Sequence, residues 1–157
     1  MPQGPVEPRV ALEPLLPEDP EFARRLLRYW MELGARPDPR WAEQYVRRLA
    51  AHGPERLNFW GLWQSRRVGF ALLRLDTDWV YPERRTGYVA EFTVFPEFRR
   101  RGLGTALFAS VRERFRQEGC MTIELDVLPT NGVGMLFWRK QGLVLAYHRL
   151  RQWVDPA

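Results

Sequence analysis

The chain has 157 residues, 45% of them hydrophobic, and a formal net charge of +5. That length and apolar content suit one domain with a real core and exclude a disordered or collagen-like chain. No apolar run approaches bilayer length and no hydrophobic signal segment opens the chain, so no membrane partner and a cytoplasmic location are expected. The single cysteine, Cys120, excludes an internal disulfide and fits a reducing compartment. Of the 24 basic residues only Lys140 is lysine. Most of the arginines are scattered and mixed with acids, which argues against a nucleic-acid partner.

Residues 1–8 are proline-rich and read as a flexible leader, with residues 9–157 as a single domain. Val10 to Leu15 predicts a short strand. Pro17-Glu18-Asp19-Pro20 reads as a helix entry, followed by Phe22, Leu26, Leu27, Trp30 and Leu33 at helical spacing. Gly34 and Pro37 break that pattern. Asp38 caps a second predicted helix, Pro39 to Ala51, with Trp41, Tyr45, Val46 and Leu49 on one side. Leu57 to Trp63 and Val68 to Leu75 predict a hairpin around Gln64-Ser65-Arg66-Arg67. Asp76 to Gly87 is a loop, and Tyr88 to Phe95 a strand. A helix follows from Thr105 to Glu118, with Leu103, Leu107, Phe108, Val111 and Phe115 as its stripe and Gly119 at its stop. Met121, Ile123, Leu125 and Val127 alternate with polar residues as a strand does. Asn131 caps a short helix from Gly132 to Gln141, and Leu143 to Val154 predicts a last strand or strand pair. The order β-α-α-β-β-β-α-β-α-β is one mixed α/β (α+β) domain without internal repeats.

The most informative stretch is Val94-Phe95-Pro96-Glu97-Phe98-Arg99-Arg100-Arg101-Gly102-Leu103-Gly104-Thr105. It joins a strand to an amphipathic helix through three arginines and two glycines. Backbone N–H groups at a helix start point outward, and glycine lets an anion approach closely, so the junction reads as a phosphate cradle. The R-x-x-G-x-G spacing is neither a Walker P-loop nor the dinucleotide fingerprint G-x-G-x-x-G.

Glu91-Phe92-Thr93-Val94-Phe95-Pro96-Glu97-Phe98-Arg99-Arg100-Arg101-Gly102-Leu103-Gly104 resembles the central motif of the GNAT superfamily of acetyl-CoA-dependent N-acetyltransferases. A second match lies downstream: Asn131, then Gly134, Phe137, Lys140, Gly142 and Leu143. The resemblance implies a central mixed, mostly antiparallel twisted sheet flanked by helices. Two central strands, those ending at Phe95 and starting at Met121, would splay, with acetyl-CoA as co-substrate in the gap. Backbone groups of Phe92 and Val94 would pair with the thioester and pantetheine arm. Arg99, Arg100, Arg101, Gly102, Leu103, Gly104 and Thr105 would hold the pyrophosphate, a charge-assisted arrangement at a helix dipole. Asn131 would touch the pantetheine arm, although a plain helix cap is equally good chemistry for it, and Phe137 joins the cofactor residues.

The implied chemistry is acetyl transfer to a primary amine by direct attack in a ternary complex. The amine is protonated near neutral pH and must lose a proton first. Glu91, one residue before the thioester-facing position, is the candidate base; the alternative is a strand carboxylate facing solvent or paired with an arginine. The Phe92 N–H is the candidate oxyanion donor. Trp138 stands where many relatives carry a tyrosine acid, and an indole cannot protonate a thiolate. The thiolate then leaves unprotonated, takes a proton from water, or is reached by another tyrosine such as Tyr147. Alternatively the protein is a non-catalytic acyl-CoA-binding or regulatory domain, with Trp138 packed in the core.

The acceptor, a small molecule or a protein amine, has candidates in Trp79, Tyr81 and Asp78, since rings with carboxylates suit a cation. Tyr29 is a further candidate, whereas Trp30 and Trp41 read as core. His52 and His148 lack metal-ligand spacing, so no metal is assigned, and Cys120 reads as a buried small side chain. A homodimer is compatible with the resemblance.

Overall fold

Two Asp-Pro pairs start the helical layer. The computed structural model describes residues 6–155; the expected leader lies outside them as far as residue 5. Asp19 accepts the Glu21 N–H at 2.9 Å and Asp38 accepts the Arg40 N–H at 2.9 Å, each followed by a proline already set for a helix. These caps open α1 (Pro20–Glu32) and α2 (Pro39–Ala51). The chain divides into two compact units, one ending at Asp126 and one beginning at Val127.

The first unit also contains β1 (Ala11–Pro14), β2 (Arg56–Trp63), β3 (Arg66–Thr77), β4 (Arg85–Val94), a 3-10 turn (Pro96–Phe98), α3 (Leu103–Gln117) and β5 (Cys120–Glu124). The strands form one mixed sheet in the order β1-β2-β3-β4-β5. All neighbours are antiparallel except β4 and β5, which α3 joins as a parallel pair requires. The mixed, mostly antiparallel sheet expected from the sequence is therefore present.

Both faces of the sheet are covered. On the α1 side Phe22, Trp60, Phe70 and Phe95 meet edge-on or tilted, with centroids 5.6 to 6.4 Å apart. Such ring pairs contribute about 0.5–1.5 kcal/mol beyond their buried area. On the other side α3 buries Leu103, Leu107, Phe108, Val111 and Phe115. Gly87 matters there, because a Cβ on it would sit 2.4 Å from the Phe115 ring. Arg67 fastens α1 to the sheet. It pairs with Glu13, Asp19 and Glu21, and its guanidinium lies 4.5 Å from the Trp60 ring centroid.

Some boundaries differ from expectation. The β2–β3 turn is only Gln64-Ser65, with φ of +50° and +61°, so Arg66 and Arg67 belong to β3. The loop expected from Asp76 to Gly87 shrinks because β3 reaches Thr77 and β4 starts at Arg85. Trp41, expected in the core, is exposed, and Cys120 is only half-buried.

In the second unit Asn131 caps α4 (Gly132–Lys140), accepting the Gly134 N–H at 2.9 Å. No residue of α4 is buried. The last strand expected over residues 143–154 is absent: those residues carry no regular secondary structure. Strand formation needs a hydrogen-bonded neighbour, which composition alone does not supply.

Two stability predictions follow from these contacts. Gly87→Ala should lower unfolding free energy by about 1–3 kcal/mol through overpacking against Phe115, read by denaturant titration. Gln64→Asn with Ser65→Gly should stabilise by about 1 kcal/mol, because asparagine and glycine accept the left-handed turn; a melting temperature raised by about 2–4 °C is expected.

Candidate active site on strand β4

Strand β4 carries an extra residue. Leu72 stands opposite Glu91, whereas the next residue, Leu73, stands opposite Val89, which leaves Ala90 bulged. A bulge shifts side-chain parity by one. Before it, Gly87 faces Phe115 of α3. After it, Phe92 faces α3, its ring 6.2 Å from Phe108, while Phe95 joins the aromatic cluster on the α1 side. Uninterrupted alternation would have put Glu91 on the α3 side with Gly87. The bulge turns it toward α1 instead.

There the Glu91 carboxylate meets donors from α1. Burial pushes its pKa above the usual carboxylate range, and hydrogen bonds from the Tyr29 hydroxyl and the Trp30 indole partly oppose that rise. The Tyr29 oxygen also accepts the Phe92 N–H, and burial beside Glu91 raises the phenol pKa well above its ordinary value. Tyr45, also pushed up to about 12 by burial and then by Glu91, completes the surroundings from α2. Its ring packs edge-on against Trp30 at 5.4 Å. Trp30 therefore hydrogen-bonds Glu91 as well as packing against Tyr45, which helical spacing alone could not reveal.

Beside Glu91 the sheet opens. The ladder between β4 and β5 covers Arg85 to Tyr88 and ends at the Tyr88–Glu124 pair, while β4 continues to Val94. Thr93 stands opposite Phe70, and the Phe95 N–H donates to Val68 O at 2.8 Å. Backbone groups alternate sides along a strand. Phe92 and Val94 therefore turn theirs away from β3, toward the side where β5 has ended.

The strand then enters the 3-10 turn, anchored by buried Phe98, and passes Arg100 at φ +64° and Gly102 at φ +73°. Gly102 is the N-cap of α3 and offers no side-chain cap. The first N–H groups of α3 thus start at a glycine, as an anion site needs. The three arginines do not act alike. The Arg99 Nε donates to Val94 O at 2.9 Å, its guanidinium pairs with Glu32 at the end of α1, and its own N–H donates to Pro96 O. Arg99 is thus a clamp. Arg100 and Arg101 are exposed, with the Arg101 guanidinium 6.0 Å from the Trp63 ring centroid.

The other expected site residues are dispersed. Asp78 accepts the Val80 and Tyr81 N–H groups at 2.7 and 2.8 Å, so it builds the loop turn. Trp79 is fully exposed, and Tyr81 lies under Arg84 at 4.1 Å. In the second unit Phe137 and Trp138 are half-buried and meet edge-on at 4.8 Å, and Asn131 serves as the α4 cap. Among the described residues no group of three or more His, Cys, Asp or Glu side chains is placed to hold a metal ion. No described helix is long and apolar enough to cross a membrane.

Comparison with known proteins gives a consistent family. No curated protein matches the sequence. Among solved structures, an aminoglycoside acetyltransferase from an uncultured soil metagenomic sample, in complex with sisomicin, superposes with a TM-score of 0.68 at 14% identity, covering 94% of this chain and 97% of that one. The aminoglycoside N-acetyltransferase AAC(6')-Iy in complex with CoA gives 0.71 at 17% identity, covering 100% and 99%. A possible acetyltransferase from Clostridium difficile 630 gives 0.75 at 12% identity, covering 95% and 99%. At such identities these likenesses establish the fold alone. The acetyltransferase (GNAT) family profile matches residues 20–143. The chain belongs to the acetyltransferase (GNAT) family.

Proposed function

We propose that the protein transfers an acetyl group from acetyl-CoA to a primary amine by direct attack, with Glu91 as the general base. The observation that carries this is the position of Glu91. The β4 bulge aims a partly desolvated carboxylate at two hydrogen-bond donors, next to the strand edge that β5 leaves open. Acetyl-CoA, when bound, supplies the activated acyl group. The residues present fit it: the α3 start with Arg100, Arg101, Gly102, Leu103, Gly104 and Thr105 suits two phosphates, and the Phe92–Val94 edge suits an amide-bearing arm. Arg99 contributes to that site by fixing the edge rather than by meeting phosphate, since its guanidinium is held by Val94 O and Glu32. Asn131 and Phe137 are assigned to the pantetheine arm by resemblance.

Glu91 would take the proton from the ammonium, directly or through water; the neutral amine would attack the thioester carbonyl, the C–S bond would break, and CoA would leave as the thiolate, which takes up the second amine proton directly or through water. The thioester oxygen takes the Phe92 N–H in place of the Tyr29 hydroxyl. Tyr29, Trp30 and Tyr45 shape the acceptor side around Glu91. The 78–84 loop offers Trp79 and Tyr81 to the acceptor, while Asp78 holds the turn beneath them. Aminoglycoside acetyltransferases among the similar folds fit a polycationic acceptor. A second reading, a non-catalytic acyl-CoA-binding domain, is favoured by Trp138 at the position of the usual tyrosine acid. Acetyl-CoA raises the melting temperature under both readings, whereas CoA thiol release with a panel of amines occurs only under the first.

Glu91→Gln should lower kcat by about 10²- to 10⁴-fold, the range for loss of a general base. It should also abolish the acidic limb of the pH profile of kcat/KM, which in the wild type lies above the ordinary carboxylate range. Because folding raises the Glu91 pKa, the native state binds the extra proton, and stability falls as pH rises from the unfolded to the folded pKa. The glutamine variant escapes that loss and should melt higher than wild type at neutral pH while turning over more slowly. For the cradle, Gly104→Leu should remove the thermal shift produced by acetyl-CoA while the circular dichroism spectrum is kept; an unchanged shift would sink the site assignment.

A further inference from the structure

Two polar atoms on β2 lie buried without a match. Among the described residues neither the Arg56 Nε nor the Asn58 Oδ1 has a hydrogen-bond partner, although both atoms are closed off from the surface. Folded proteins leave few such atoms unmatched. The pairing register places both residues on the face that holds Glu91. Asn58 stands opposite Leu72 and Leu72 opposite Glu91, so the three share the α1 side of the sheet. Trp60 and Phe70, one step along β2 and β3 on that face, belong to its ring cluster. Arg56, two residues before Asn58, stands opposite Arg74, which stands opposite Tyr88.

Charge on this face is uneven. Arg56 and Arg74 are like charges directly across a ladder, an arrangement that costs stability. Asp76 relieves only Arg74, accepting two hydrogen bonds from its guanidinium at 2.5 and 2.7 Å. Among the described residues Arg56 forms no ion pair. Glu91, elsewhere on the face, carries the opposite charge. The Tyr45 hydroxyl lies near both: burial raises its pKa most, Glu91 adds to the rise and Arg56 opposes it. Glu91 and Arg56 are two strands across and two residues along from each other, about 12 Å between Cα atoms.

We propose that Arg56 and Asn58 bind the acid end of the acceptor, and that the acceptor is dipeptide-like: a primary amine at Glu91, an amide N–H at the Asn58 Oδ1 and a carboxylate at Arg56. The amine end rests on the proposed function; the acid end goes beyond it. The chemistry of the two unmatched atoms sets the order. A guanidinium only donates, and its planar fork takes a carboxylate in two bonds. An amide oxygen only accepts, so it needs an N–H or O–H. The last residue of a peptide offers an N–H beside a carboxylate, as Asn58 and Arg56 are neighbours on one face of β2. Two extended residues span about 7 Å, and the Glu91 and Arg56 side chains cover the remaining distance from either end. A plain alkylamine would leave both atoms unmatched. A polycation would set like charge against Arg56.

The test compares alanylalanine with its C-terminal amide, which differs only in the missing carboxylate charge, and with an aminoglycoside. CoA thiol release should give the dipeptide a KM about 10- to 100-fold below that of the amide, the range for a hydrogen-bonded charge. Arg56→Gln should bring the two KM values together by raising that of the dipeptide, and Arg56→Lys should recover part of the preference. Calorimetry of dipeptide and amide binding reads the same preference without turnover. Equal values for the two in wild type, which would mean that solvent satisfies both atoms, overturn the proposal. So does a preference that Arg56→Gln leaves intact, or an aminoglycoside taken better than the dipeptide. Thiol release without a dipeptide preference keeps acetyl transfer and removes this subsite. Arg56-dependent dipeptide binding without thiol release keeps the subsite and removes acetyl transfer.

Discussion

One extra residue in β4 sets the arrangement on which the site depends. The bulge at Ala90 reverses side-chain parity between Val89 and Glu91, so a strand that shows small residues to α3 in its first half shows a carboxylate to α1 in its second. The same reversal gives Phe92 to Phe108 on the α3 side and Phe95 to the ring cluster on the α1 side. Had the strand kept strict alternation, Phe92 would face α1 and Glu91 would be driven against Phe115 and its neighbours, where nothing compensates a buried charge. The ring packing on both faces therefore holds the bulge in place, and the bulge holds the carboxylate.

The arginines around this strand divide into clamps and exposed cations. Arg99 binds the last β4 carbonyl and the last residue of α1, tying the helix that carries Tyr29 and Trp30 to the strand that carries Glu91. Arg25 repeats the device half-buried, pairing with Glu97 at 2.8 Å while its guanidinium lies 3.7 Å from the Phe95 ring centroid. Planar guanidinium groups suit both tasks, since they accept a ring face and a carboxylate together. Arg100 and Arg101 remain exposed at the start of α3. A run of three arginines in sequence thus occupies two environments, separated by which one the turn folds back toward the strand.

The helices were the most legible part of the fold. Asp-Pro starts and 3.6-residue spacing define α1 and α2, and Asn131 with Gly142 bounds α4 closely. These signals are local, carried by capping and periodicity within one element. The hairpin was also readable, and so was the glycine at the start of α3, because its spacing sits directly in sequence. The Ala90 bulge was not, since no residue in Tyr88–Phe95 marks an extra position. The partner of Glu91 was half legible: Tyr29 stood among the acceptor candidates, but Trp30 resembled a core residue by spacing and Trp41, with the same spacing argument, proved exposed. The engagement of Arg99 and the missing last strand depend on contacts distant in sequence, which no window along the chain contains.

The balance at Glu91 bears on the kind of acceptor that fits. Burial raises the Glu91 pKa and so makes the carboxylate a stronger base than a solvated one. Hydrogen bonds from Tyr29 and Trp30 draw the pKa back without supplying a positive charge. The carboxylate is therefore left with attraction for a cation and no side-chain cation to satisfy it among the groups that shift it. Under the proposed function, an incoming ammonium would meet that need. In that function, passing the proton to Glu91 would leave both partners neutral and remove the attraction that drew the amine in. On that reading, selection and activation of the amine would fall on the same carboxylate.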